Sequence, residues 1–132
     1  MKEIIIEAKI ENLYKVMDFI NSALDSGNCT AKLKNDINIA VEELFINVAS
    51  YAYNSRGGVI VGIDIDDSIT LKIADSGKPF NLLEKTDPDI SKPIMEREIG
   101  GLGILMVKKL MDDISYEYID NKNVLTLRKR IE

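Results

Sequence analysis

Three groups of residues in this chain break the local rules of the elements that carry them, and each break has a chemical use. The first is Glu43 with Asn47, inside the otherwise apolar stretch AVEELFINVASYAY (40–53). On a helix, residues four apart are neighbours on one face. A carboxylate and an amide therefore sit side by side at the edge of the apolar stripe, where burial without partners is costly. Either this is a solvated helix flank or something binds there. Glu42 points away from Glu43 and reads as an ordinary exposed charge.

The second group is Asp75 with Gly77, in ADSGKPFN (74–81). Strand alternation puts Asp75 on the same face as Ile69, Leu71 and Ile73, so an inward carboxylate at a strand end needs a hydrogen-bond donor. Gly77 permits a positive φ or the close approach of a ligand to the backbone. A plain Asp-Ser-Gly turn accounts for the same residues. The third group is IGGLGILMVKKLM (99–111). Gly100, Gly101 and Gly103 lead into an amphipathic helix. A glycine-rich approach to a helix N-terminus exposes backbone N–H groups at the positive end of the dipole, which suits a phosphate. A hinge with a helix cap is the simpler alternative. The spacing matches neither a Walker A loop nor a dinucleotide fingerprint.

Periodicity supplies the elements that must position these groups. Residues 3–9 read as a strand. Leu13, Val16, Met17, Ile20 and Leu24 give a helix over 12–26, ended by Gly27 and Asn28. A longer helix runs over 31–54 on the stripe Leu33, Ile37, Ala40, Val41, Leu44, Val48 and Ala52, with Asn54 and Gly57-Gly58 after it. VIVGIDI (59–65) and ITLKIAD (69–75) alternate as a hairpin about Asp66–Ser68. Residues 77–99 lose all periodicity and hold the three prolines of the chain, as a functional lid does. A helix follows, and then a hairpin of 114–119 with 123–129. The order βααββ–loop–αββ implies an α+β fold: a two-layer sandwich with a mixed, mostly antiparallel sheet and helices on one face.

The totals set bounds. The 132 residues suit one domain over 1–132, with its lid at about 77–99. The net charge of −5 argues against a general nucleic-acid binder. A single cysteine, Cys29, makes an internal disulfide impossible and suits a reducing compartment. The N-terminus lacks the apolar run of a signal peptide, and no run approaches a membrane span, so the expectation is a cytoplasmic protein. The chain has no histidine. That removes Ser-His-Asp triads, histidine-ligated metals and phosphohistidine chemistry together.

In this order, ExxxN on a long helix, DxGxPF after a strand, a lid, and GGLG opening a helix, the chain resembles the Bergerat-fold (GHKL) ATP-binding domains over essentially its whole length. DSGKPFN, the short lid and the size are similar to one branch, the bacterial anti-sigma factors that are also serine/threonine protein kinases. The resemblance implies ATP or ADP and Mg²⁺ as cofactors. It implies Glu43 as general base, Asn47 as the metal ligand, Asp75 as acceptor for the adenine amino group and Gly77 as the residue that admits the base. Gly101 and Gly103, with Gly100 beside them, would be the phosphate-side glycines. Its implied partners are an anti-anti-sigma protein as phosphoacceptor and a sigma factor, and dimerisation is compatible with the family. A binding switch of the same fold, gated by nucleotide but without kinase activity, is the competing function. Departures are Tyr51-Ala52-Tyr53, where many relatives have His-Ala-Tyr, and Asn123-Val124, where a threonine often helps hold adenine. No role carries over to Asn123, Val124 or Thr126, and Arg97 has no sure counterpart as a lid arginine.

Overall fold

The computed structural model describes residues 1–27, 29–51, 58–84 and 101–131. Strand β1 (Lys2–Ile6) leads through a 3-10 turn (Ile10–Asn12) into helix α1 (Leu13–Ser26) and helix α2 (Ala31–Tyr51). Strands β2 (Val59–Ile65) and β3 (Ser68–Asp75) follow, then helix α3 (Gly101–Leu110) and strands β4 (Asp113–Ile119) and β5 (Lys122–Arg130). These match the expected elements in order and type. The strand expected over 3–9 stops at Ile6, because the chain turns where Lys9 N–H donates to the Glu7 carbonyl (2.8 Å). Ala52, Tyr53, Asn54 and Gly57 lie outside the described residues, as do 85–100 of the expected lid.

The local chemistry accounts for the boundaries. Gly27 closes α1, its N–H donating to the Leu24 carbonyl (3.1 Å). Thr30 caps α2, its Oγ1 accepting from the Leu33 N–H at 3.2 Å. The turn between β4 and β5 has two residues, Asp120 and Asn121, with φ of 54° and 63°. Asp and Asn tolerate this left-handed region best among residues other than glycine, and the mirror-image turn matches the strand twist.

The five strands run in the order β1-β2-β3-β5-β4, and every pairing between them is antiparallel. The inward face carries Val59, Val61, Ile63, Ile69, Leu71, Ile73, Leu125 and Leu127, all buried in one cluster with the apolar sides of the helices. α2 contributes Leu33, Ile37, Ala40, Val41, Leu44, Phe45 and Val48 to it. Phe45 is fully buried although it lies outside the stripe read from the sequence, because α2 packs against α1 and α3 as well as the sheet. From α3, Ile104 and Val107 close the core, with Met111 just past the helix end.

One ion pair ties three elements together. Asp36 of α2 is 7% exposed, and Lys129 of β5 approaches it at 3.8 Å while also donating to the Leu110 carbonyl at the end of α3. A cation at a helix C-terminus satisfies a carbonyl that has no partner in the helix and favours the dipole. The C-terminal end of α3 is thereby fixed to α2, and its N-terminal end lies against the middle of the same helix.

Candidate functional site

Two polar clusters stand at the edge of the core. The first joins α2 to α3. Glu43 and Asn47 are both half-buried and Glu42 is exposed, as the helical wheel requires. Asn47 Nδ2 donates to Glu43 Oε1 at 3.0 Å and to the Glu43 carbonyl oxygen at 2.8 Å. Both partners are acceptors, so only the amide nitrogen can face them. This turns Asn47 Oδ1 the other way, as a neutral oxygen donor at the rim of the core.

Gly103 completes this cluster. A β-carbon built on it would stand 1.8 Å from Glu43 Oε1 and 2.1 Å from Cδ. The carboxylate thus occupies the space that any other residue at 103 would fill. Gly101 and Gly103 are expected ahead of the helix; instead they lie in its first turn, since α3 begins at Gly101. Helical pairing of 101–104 with the turn above leaves the first backbone N–H groups without helical acceptors. Gly103 of that first turn stands against the Glu43 carboxylate. Gly100 lies outside the described residues.

The second cluster lies where β3 pairs with β5. Asp75 is 2% exposed, and its Oδ1 accepts from the Gly77 N–H at 2.9 Å and from Asn123 Nδ2 at 3.1 Å. Both readings of the sequence hold at once here: Asp-Ser-Gly is a turn closed on its own carboxylate, and that carboxylate is also buried and facing inward. Asn123 is directly opposite Asp75 in the β3–β5 register and is likewise 2% exposed. Its Oδ1 accepts from the Phe80 N–H (2.8 Å) and from the Tyr116 hydroxyl, and its Nδ2 also donates to the Lys78 carbonyl (2.8 Å).

Sequence reasoning assigned Asn123 no role. The signal was present: Asn123 is in phase with Leu125 and Leu127, so a polar side chain had to face the core. That rule had already singled out Asp75, but nothing in the sequence pairs the two strands.

The metal that the resemblance implies can be weighed against these residues. Asn47 Oδ1 is a hard oxygen donor of the kind Mg²⁺ takes, and Glu43 is adjacent. Among the described residues no group of three or more acidic, histidine or cysteine side chains converges into a cage. Mg²⁺ commonly uses one or two protein oxygens and completes its shell with phosphate and water, so the donor set fits a metal that arrives with a nucleotide.

The family profile of the histidine kinase-like ATPase domain matches residues 6–129. The chain belongs to the histidine kinase-like ATPase domain family. That stretch contains both clusters and the segment joining them. ATP is the ligand class that membership in this ATPase family implies. By sequence the chain is 34% identical to the serine-protein kinase RsbW of Bacillus cereus (strain AH187) and 33% identical to that of Bacillus mycoides (strain KBAB4), in each case over 68% of this chain. It spans 60% of the length of each of these relatives.

Solved structures share the architecture. The RsbU and RsbW domains of Rv1364c from Mycobacterium tuberculosis align with a TM-score of 0.69 at 15% identity, covering 98% of this chain and 32% of that one. The histidine kinase AdeS of Acinetobacter baumannii aligns with a TM-score of 0.54 at 16% identity, covering 100% of this chain and 68% of that one. At such identities the likeness is one of fold. It agrees with the α+β sandwich expected from the order of elements, and the relatives matched by sequence carry the name of the serine-kinase branch that DSGKPFN points to.

Proposed function

We propose that this chain binds ATP between α2, α3 and the Asp75 turn, and transfers the γ-phosphoryl group to a serine or threonine of a partner protein. The observation that supports this best is the Glu43–Asn47 hydrogen bond held against Gly103. It puts a carboxylate and a metal-binding oxygen beside the first turn of a helix. Asp75 and Gly77 form the base end of the site, with the Asp75 carboxylate as acceptor for the adenine amino group. Gly100, Gly101 and Gly103 form the phosphate end.

In this reading Glu43 takes the proton from the acceptor hydroxyl. The hydroxyl oxygen then bonds to the γ-phosphorus as the bond from that phosphorus to the β–γ bridging oxygen breaks, and ADP leaves. Asn47 would hold Mg²⁺, which would neutralise charge on the phosphates. Phosphoryl transfer needs positioning and charge neutralisation more than covalent help; Glu43 and Asn47 supply positioning, and the bound metal would supply the neutralisation.

The likeness to serine-protein kinases supports a regulatory setting. The chain would act as an anti-sigma factor in the cytoplasm, with a small anti-anti-sigma protein as its phosphoacceptor and a sigma factor as its second partner. Phosphorylation would stop the anti-anti-sigma protein from displacing the sigma factor. Among the described residues no helix is long and apolar enough to cross a membrane. The whole chain acts as one ATP-binding domain, with residues 77–99 as its lid.

Incubation with Mg-ATP and the small serine-bearing proteins encoded beside it tests the reading. Phosphoserine on one of them is the expected result. ATP binding without transfer to any acceptor would leave a nucleotide-gated binding switch instead. Steady phosphate release without an acceptor would make it a simple ATPase.

A further inference from the structure

We infer that Asn123, braced by Tyr116, is the positioning residue of the base-recognition end of the site: it aims the Asp75 carboxylate and holds residues 77–80 without touching the ligand itself. This rests on Asp75 being the acceptor for the adenine amino group.

The partners of the Asn123 amide fix its orientation. The Phe80 N–H can only donate, so it faces Asn123 Oδ1. The Lys78 carbonyl can only accept, so it faces Nδ2. One orientation alone satisfies both. In that orientation Oδ1 takes two donors, Phe80 N–H and the Tyr116 hydroxyl, while Nδ2 donates to Asp75 Oδ1 and the Lys78 carbonyl, with the Gly77 carbonyl as a longer third acceptor at 3.5 Å. An amide offers two donor hydrogens and two acceptor lone pairs. All four are spent inside the protein, on a side chain 2% exposed. Nothing remains for a ligand.

The partners then define the role. All but one lie on the segment Asp75–Phe80, which carries the proposed base contacts, and the exception, Tyr116, lies on the edge strand β4. Asn123 is thus a rivet through that segment from the neighbouring strand. With the Gly77 N–H it brings two donors onto a single Asp75 oxygen, which fixes how the carboxylate plane is turned. A buried, fully satisfied polar network of this kind specifies one geometry, and removing one member leaves the others unpaired.

No other residue of similar size reproduces these bonds. Aspartate keeps both acceptances but loses both donations and sets a second carboxyl group against Asp75. Leucine loses all four. The test compares ADP with the ADP analogue that carries hydrogen in place of the 6-amino group, by calorimetry. The wild-type chain is expected to prefer ADP by about tenfold or more, the contribution of one hydrogen bond to a charged acceptor. Asn123→Asp should bring that ratio close to one. If the ratio stays at its wild-type value in folded Asn123→Asp, the residue is a structural one and the inference fails. A second variant covers the case in which Asn123→Asp does not fold. Tyr116→Phe removes one hydroxyl from a half-buried position and should lower the ratio about threefold; an unchanged ratio there also overturns the inference. Absence of any preference in the wild-type chain would instead sink the assignment of Asp75, and this inference with it.

Discussion

The carboxylate of Glu43 fills the space where a β-carbon on residue 103 would stand, 1.8 Å from its Oε1. The two residues lie on different helices, so the side chain of one sets the identity of the other. Gly103→Ala should leave the fold intact, because the atom in the way is the far end of a flexible side chain. It should turn the carboxylate out of its place and cut phosphate transfer by about a hundredfold, the low end of what a positioned base contributes. In a Glu43→Ala background the three atoms nearest that β-carbon are gone. There it should stabilise the chain by about 1 kcal/mol through helix propensity. Denaturant unfolding of the two single variants and the double variant checks this, and additive effects on stability would contradict the contact.

The adjacent glutamates should behave differently. Glu43→Gln keeps the shape but not the basicity, so transfer should fall by about 10²–10⁴-fold with nucleotide affinity nearly intact. Glu42 is exposed, and Glu42→Gln should change neither. Single-turnover transfer and calorimetry on both variants read the difference.

Asp75→Asn should weaken ADP binding by about tenfold or more, since a charged acceptor is replaced. The new amide oxygen can still accept from Gly77 N–H and Asn123 Nδ2, so the melting temperature should move little. Unchanged affinity by calorimetry would remove the adenine assignment.

Lys129→Met breaks the tie between α3 and α2. Among the described residues it leaves Asp36 with the exposed Lys32 at 3.2 Å, and it takes from the Leu110 carbonyl its cation. A loss of about 1–3 kcal/mol in unfolding free energy is expected. Adding Asp36→Asn should cost less than its own single effect, because the two residues share one interaction.

The chain by itself determined its elements and pointed to most residues of its candidate site. Apolar periods of 3.6 and 2 are local properties, so the helices and strands were legible, with the inward faces of the helices and of β2 and β3, as were the separation of Glu43 from Glu42 and the inward turn of Asp75. The order of the motifs pointed to the family. The tertiary structure alone decided what meets what. β5 inserts between β3 and β4, and only that insertion sets Asn123 opposite Asp75 and makes a residue without an assigned role the centre of a buried network. The packing of α3 on α2 likewise turned Gly103 from a glycine ahead of a helix into the one residue type that leaves room for the Glu43 carboxylate. Phe45 is buried for a similar reason, because α2 has neighbours on more than one side. Periodicity is written in neighbouring residues, but register between strands and contact between helices depend on chain segments far apart in sequence, and those were settled only when the core closed.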